Sequence, residues 1–174
     1  MNSLVKILAL GLLFLFVFVQ SSFASAPYTL PYPGIMPGNK IYVASEIFDT
    51  LKKYYTFGDF AKFKYYLSQS DKYLVEAQIL FEYGQYPLAK QSLEKSDINF
   101  SQLRNVLESA KKKNKNIVEK EEVLYLASEK HIEVLEKLAI TVPSNFTWKA
   151  EKKEPVFIDI KNIINSSIQK RKNI

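Results

Sequence analysis

The chain contains no cysteine, a single histidine, five glycines, and only two arginines, Arg104 and Arg171, among its 24 basic residues. Each scarcity closes a class of function. Without cysteine there is no disulfide framework, no thiolate metal site, no cysteine nucleophile and no lipidated N-terminal cysteine, so the fold must stand on packing. So few glycines argue against a turn-rich β protein. Neither a Gly-x-Gly-x-x-Gly phosphate loop nor a Gly-x-Ser-x-Gly nucleophile turn occurs. His131 is flanked by Glu129, Glu133 and Glu136, yet neither the Glu-x-x-His pair of di-iron bundles nor His-Glu-x-x-His is present. A net charge of +6 carried by lysine suits solubility or loose attraction to anionic surfaces. It does not suit base reading, which favours the bidentate guanidinium. The chain is expected to bind no nucleic acid, to hold no metal or cofactor, and not to be an enzyme.

What is present is ordinary globular material: 47% hydrophobic and 24% charged residues over 174 positions, enough for one domain with a real core. The first 24 residues have the parts of a secretory signal: Lys6, an apolar run over residues 7–19, and Ser22-Phe23-Ala24 with small residues where a peptidase inspects them. Cleavage is expected after Ala24, with an uncleaved anchor as the alternative. This places the protein outside the cytoplasm, in the cell envelope or beyond it.

Pro31, Pro33 and Pro37 then fix φ and remove three backbone donors within seven residues, which excludes both helix and inner strand. Pro31, Tyr32, Pro33, Gly34 and Pro37 are expected to form an extended strap, with Tyr32, Ile35 and Met36 pressed on a helical bundle. Asn39 can cap a first helix over residues 41–55, with Ile41, Ala44, Ile47 or Phe48, and Leu51 on one side. Asp59 is expected to cap a second helix. Its Phe60, Phe63, Leu67, Ser70, Leu74, Ala77 and Phe81 recur at steps of three and four. Gly84 ends that helix in the left-handed region and Pro87 opens a third. The third carries Ala89, Leu93, Ser96, Phe100, Leu103, Leu107 and Ala110. Two matched seams joined by so short a turn make an antiparallel αα-hairpin. A lysine-rich stretch over residues 111–116 is read as a break, with Asn116 capping a fourth helix over residues 117–140 that presents Leu124, Ala127, His131, Leu135 and Leu138. Residues 25–143 thus form an all-α bundle of four to five helices. Residues 144–155 read as a linker. Residues 156–174 read as an amphipathic helix with Phe157, Ile160, Ile164 and Ile168 on one face.

Thirteen aromatic side chains lie between Tyr42 and Tyr86. Phe60, Phe63 and Phe81 fall on the seam itself, where core is expected. Tyr54-Tyr55 and Tyr65-Tyr66 are adjacent pairs, so one of each must face outward, and these four form the candidate interaction surface. Two functions follow as expectations. The first is a non-enzymatic interaction module binding a protein partner in the envelope through these tyrosines. The alternative is a membrane-surface or structural envelope protein, anchored by the N-terminal segment or resting on the C-terminal helix as an interfacial foot. Ala77, Gly84, Tyr86 and Ala89 also match the stepping of a tetratricopeptide turn. One copy cannot stack into a solenoid.

The run Leu30-Pro31-Tyr32-Pro33-Gly34-Ile35-Met36-Pro37, followed by Ile41-Tyr42, resembles the opening of an exported bacterial helical domain family of unknown function. Thr56-Phe57, Lys62-Phe63, Leu67, Leu74, Glu76-Ala77, Gly84 and Ala89 resemble its second and third helices, and the stretch from His131 to Leu138 with Val142-Pro143 resembles a later one. The resemblance spans about residues 28–143. It implies export and a helical fold, with no catalytic residues to carry over.

Overall fold

The computed structural model describes residues 28–149 and 154–173. Among them, five helices and one two-stranded ribbon follow each other in the order α1 (Tyr42–Tyr54), α2 (Asp59–Glu82), α3 (Tyr86–Lys112), α4 (Val118–Thr141), β1 (Phe146–Trp148), β2 (Val156–Ile158) and α5 (Ile160–Lys172). The expected signal segment and the cleavage after Ala24 lie outside the described residues.

The α2–α3 hairpin is the frame. All seven seam residues of α3 are buried, and on α2 Phe63, Ser70, Leu74, Ala77 and Phe81 are buried with Phe60 and Leu67 half-buried. Small residues let the two backbones approach at mid-length. There, Ser70 Oγ donates to Ser96 O at 3.1 Å and Ser96 Oγ donates to Ser70 O at 2.8 Å. The turn is a Schellman closure: Gly84 (φ 71°) donates to Phe81 O at 3.1 Å and Gln85 to Leu80 O at 2.8 Å. The end of α3 repeats the device with Asn114 (φ 55°), whose N–H reaches Lys111 O while that of Lys115 reaches Ala110 O. That closure ends α3 and makes the lysine-rich stretch a break between two helices. Asn116 Oδ1 then accepts from Val118 N at 3.1 Å, and Glu119 and Glu121 complement the first turn of α4.

α4 returns along the hairpin, burying Leu124, Ala127, His131, Leu135 and Leu138. The ribbon pairs Phe146 with Ile158, Thr147 with Phe157 and Trp148 with Val156. It turns the chain so that α5 lies on α3 and α4, with Ile160, Ile164 and Ile168 buried. By rise per residue α5 is about 20 Å long and α3 about 40 Å, so the fourth position of the bundle is filled along only half its length. The apolar core falls into two clusters. One holds Leu74, Phe81, Leu93, Leu135, Leu138 and the α5 isoleucines; the other holds Phe63, Phe100, Leu103, Leu107, Ile117 and Leu124.

Several local expectations are corrected. Ile41 and Ile117 take the capping positions of α1 and α4, in place of Asn39 and Asn116. Asp59 is the first residue of α2, with Gly58 (φ 85°) in the capping position. Its carboxylate instead takes Lys113 at 2.8 Å and Lys115 at 2.8 Å, and those hydrogen bonds hold it below the usual carboxylate range. The strap is held at its flanks: Leu30 and Met36 pack on the first cluster and Tyr28 on the second, while Pro31, Tyr32, Pro33 and Gly34 are exposed and Pro37 is half-buried. Tyr32 is 97% exposed because the prolines hold the chain in a shape that lifts it off the bundle. The stretch read as a linker contains β1, and the start of the expected last helix is β2. Phe157 therefore lies on the ribbon, exposed, and the helix begins after Asp159, whose carboxylate accepts from Asn162 N at 3.0 Å.

Candidate functional site

Two features break the pattern of apolar inside and polar outside. The first is a polar layer between the two apolar clusters, to which all four long-axis helices contribute. α2 supplies Ser70 and Asp71, α3 supplies Ser96 and Asp97, α4 supplies Ser128 and His131, and α5 supplies Ser167 and Arg171, all buried. Arg171 is the hub. It donates from Nη1 to Asp97 Oδ1 at 2.5 Å, from Nη2 to Ser96 Oγ at 2.9 Å, and from Nε to His131 Nδ1 at 3.1 Å. Its guanidinium lies 5.0 Å from the Phe100 ring centroid. Asp97 is further bound by Ser167 and by Lys170 at 2.8 Å. On the other side of the histidine, Asp71 Oδ1 is 2.7 Å from His131 Nε2, and Asp71 Oδ2 accepts from Tyr28 Oη at 2.6 Å. The strap is thus latched to the layer through Tyr28.

These distances fix the protonation of His131. Nδ1 faces a donor, Arg171 Nε, and so must accept; Nε2 faces a carboxylate and so must donate. The ring is a neutral Nε2–H tautomer. Burial lowers its pKa, and the guanidinium adds to that against the opposing pull of Asp71. The ring is 0% exposed, and among the described residues its two nitrogens are bonded to Asp71 and Arg171 and to no hydroxyl that could serve as a nucleophile. Chemically the layer is a structural lock. A slip of α5 by one turn, 5.4 Å, would take Arg171 away from Asp97, so the layer fixes the register of the last helix. Sequence reasoning placed His131 in the core but missed Asp71, Asp97 and Arg171. The available signal was Ser70, Ser96 and His131, polar seam positions that antiparallel pairing brings to one height.

The second feature is α1, which is amphipathic the wrong way round. Its inner side is polar. Asp49 pairs with Lys72 at 2.6 Å, Glu46 with Lys95, and Tyr42 Oη donates to Glu76 Oε2 at 3.1 Å. Tyr65 Oη donates to the Asp49 carbonyl at 3.0 Å. Burial raises the Glu76 pKa, with Lys72 and Tyr42 opposing. The apolar side faces water: Ile41, Ile47, Phe48 and Leu51 are 60, 55, 64 and 46% exposed. These are the residues whose spacing defined the helix, so the expected stripe exists with its direction reversed.

The four candidate tyrosines gather at the α1–α2 turn without acting alike. Tyr54 and Tyr55 are exposed and extend the outer face of α1. Tyr65 and Tyr66 are half-buried, edge to face at 5.3 Å. With Tyr54, Phe57, Lys53 and Lys62 they line a cleft of about 370 Å³. A larger groove of about 790 Å³ lies beside the second apolar cluster, where α5 has ended; Leu107, Ile117 and Leu124 line it together with charges of both signs, among them Arg104, Lys111, Glu121 and Glu129. Among the described residues no helix is long and apolar enough to cross a membrane, and no group of three or more acidic or histidine side chains could hold a metal ion.

Residues 34–145 match the family model described as Domain of unknown function (DUF5667). The match begins inside the strap and ends at β1. No curated protein and no solved structure matches the chain.

Proposed function

The chain belongs to the family Domain of unknown function (DUF5667), and from that premise we propose that it is a non-enzymatic interaction module of the cell envelope. It docks through the outer face of α1 and the tyrosines at the α1–α2 turn. The observation that carries this is the reversal of α1. A helix whose acids turn inward to Lys72 and Lys95 while Ile47, Phe48 and Leu51 meet water leaves an apolar face that only another surface can cover. Location in the envelope rests on the signal-like residues 1–24. Absence of catalysis is supported by the engaged, inaccessible His131. The C-terminal helix is a poor foot, because the isoleucines it would offer a bilayer are buried against α3 and α4.

A photo-reactive residue placed at Phe48 in the full chain tests the reading. It should cross-link an envelope component in intact cells, while the same residue at Glu133, exposed on α4, should not. Equal labelling from both positions, or none from Phe48, would sink it. Phe48→Asp with Leu51→Asp should keep the wild-type melting temperature, since neither side chain belongs to the core.

A further inference from the structure

We infer that the surface covered by α1 is an anionic lipid bilayer, on which the helix lies flat. This rests on the reading above that the outer face of α1 is the docking face, and goes further by naming its occupant. Three observations carry it. The face is made of Ile41, Ile47, Phe48, Leu51, Tyr54 and Tyr55, the mixture of aliphatic and amphipathic aromatic side chains that settles at the boundary of headgroup and acyl chain. The helix sorts its charges by sign. Its two acids, Glu46 and Asp49, are turned inward and paired, Asp49 with both Lys72 and, at 3.5 Å, Lys52, so the charge left around the face is that of exposed Lys40 and Lys53, with Lys62 at the rim of the adjoining cleft. And those cations are lysines. Protein interfaces are enriched in arginine and depleted in lysine, whereas a bilayer of anionic lipids attracts either through its surface potential.

The geometry suits a plane better than a groove. At about 20 Å long, α1 lies along the outside of the bundle and is fastened to it only by its polar side, so the apolar side can enter to the depth of its side chains without disturbing the core. The inverted arrangement follows directly. A helix with an ordinary apolar inner face would be held by burial, and its outer face could carry no apolar load without losing the distinction between the two.

The lack of cysteine makes the test direct, because one introduced thiol can be labelled alone. The full chain carrying Phe48→Cys, labelled with an environment-sensitive nitrobenzoxadiazole, is mixed with vesicles of phosphatidylcholine alone or mixed with phosphatidylglycerol. The emission should shift to the blue and rise only with the anionic vesicles, should be quenched by brominated acyl chains, and should revert in high salt. A label at Glu133→Cys should not respond. Neutralising Lys40 and Lys53 to glutamine should weaken the response roughly thirtyfold, from about 1 kcal/mol per lysine at the bilayer surface. A chain that binds vesicles while the label at position 48 stays in water overturns the inference, since another segment then makes the contact. A label already blue-shifted without vesicles overturns it too, because the face is then covered by a second copy or by residues 1–27. If the vesicles give no shift while photo-cross-linking from position 48 captures one protein, the lipid inference falls and the interaction-module reading stands. If both fail, that reading falls as well.

Discussion

Arg171→Met tests the polar layer most sharply. Methionine nearly matches the length of the arginine stem, so the change removes charge and donors while leaving little void. It strands Asp97, a carboxylate only 7% exposed, by removing its 2.5 Å partner, and it also removes the donors to Ser96 Oγ and His131 Nδ1. Breaking one partner out of a buried ion pair costs about 3–5 kcal/mol, because the charge left behind stays desolvated. Here Lys170 still reaches Asp97 at 2.8 Å from a half-exposed position, and Ser167 remains. The lower end applies, about 3 kcal/mol. With a urea slope near 2 kcal/mol/M the unfolding midpoint should fall by about 1.5 M at unchanged slope. Adding Asp97→Asn should recover at least about 1 kcal/mol, since the stranded charge is then gone. A loss below about 1 kcal/mol for Arg171→Met, or no recovery in the double variant, would refute the claim that the pair holds α5 in place.

Two further outcomes are expected. His131 is neutral in the fold with its pKa lowered by burial, so the unfolded chain takes up protons more readily. Stability should therefore be level above the ordinary histidine value near 6.5 and fall as pH drops below it, and urea midpoints of wild type and His131→Gln should converge toward pH 5.5; parallel curves would show that the ring is not the titrating group. Gly84→Ala forces a Cβ into a left-handed residue (φ 71°) with room around it, so it should cost about 1 kcal/mol from backbone strain alone; a neutral result in thermal melts would mean that the turn can close another way.

The hairpin was legible because its two seams repeat at steps of three and four and a Gly-x-Tyr-Pro turn joins them. Each residue there votes for the same structure. The break after Lys112 was legible for a similar reason, though the residue in the left-handed region proved to be Asn114. Other features were hidden by the nature of the signal. Periodicity found the stripe on α1 but carries no direction. What turned the stripe outward was the placement of Lys72, Lys95 and Glu76 on other helices, opposite Asp49, Glu46 and Tyr42. The ribbon was missed because three-residue strands fall below any period-2 count, and Val156, Phe157 and Ile158 extend a helical apolar pattern equally well. The polar layer was missed because Arg171 and Asp97 meet across 74 residues, and nothing local marks either as buried.

That separation sets an order of events. A chain emerging N-terminus first has its α2–α3 hairpin complete while the residue that must neutralise Asp97 has not yet been made. At about 5–20 residues per second, 74 residues amount to roughly 4–15 s of waiting. During that time two carboxylates beside the seam, Asp71 and Asp97, oppose burial of the layer in which they sit, and water must stay there to solvate them. The bundle cannot finish early. The last helix acts as a key: only its arrival brings Arg171 to Asp97 and lets the layer close.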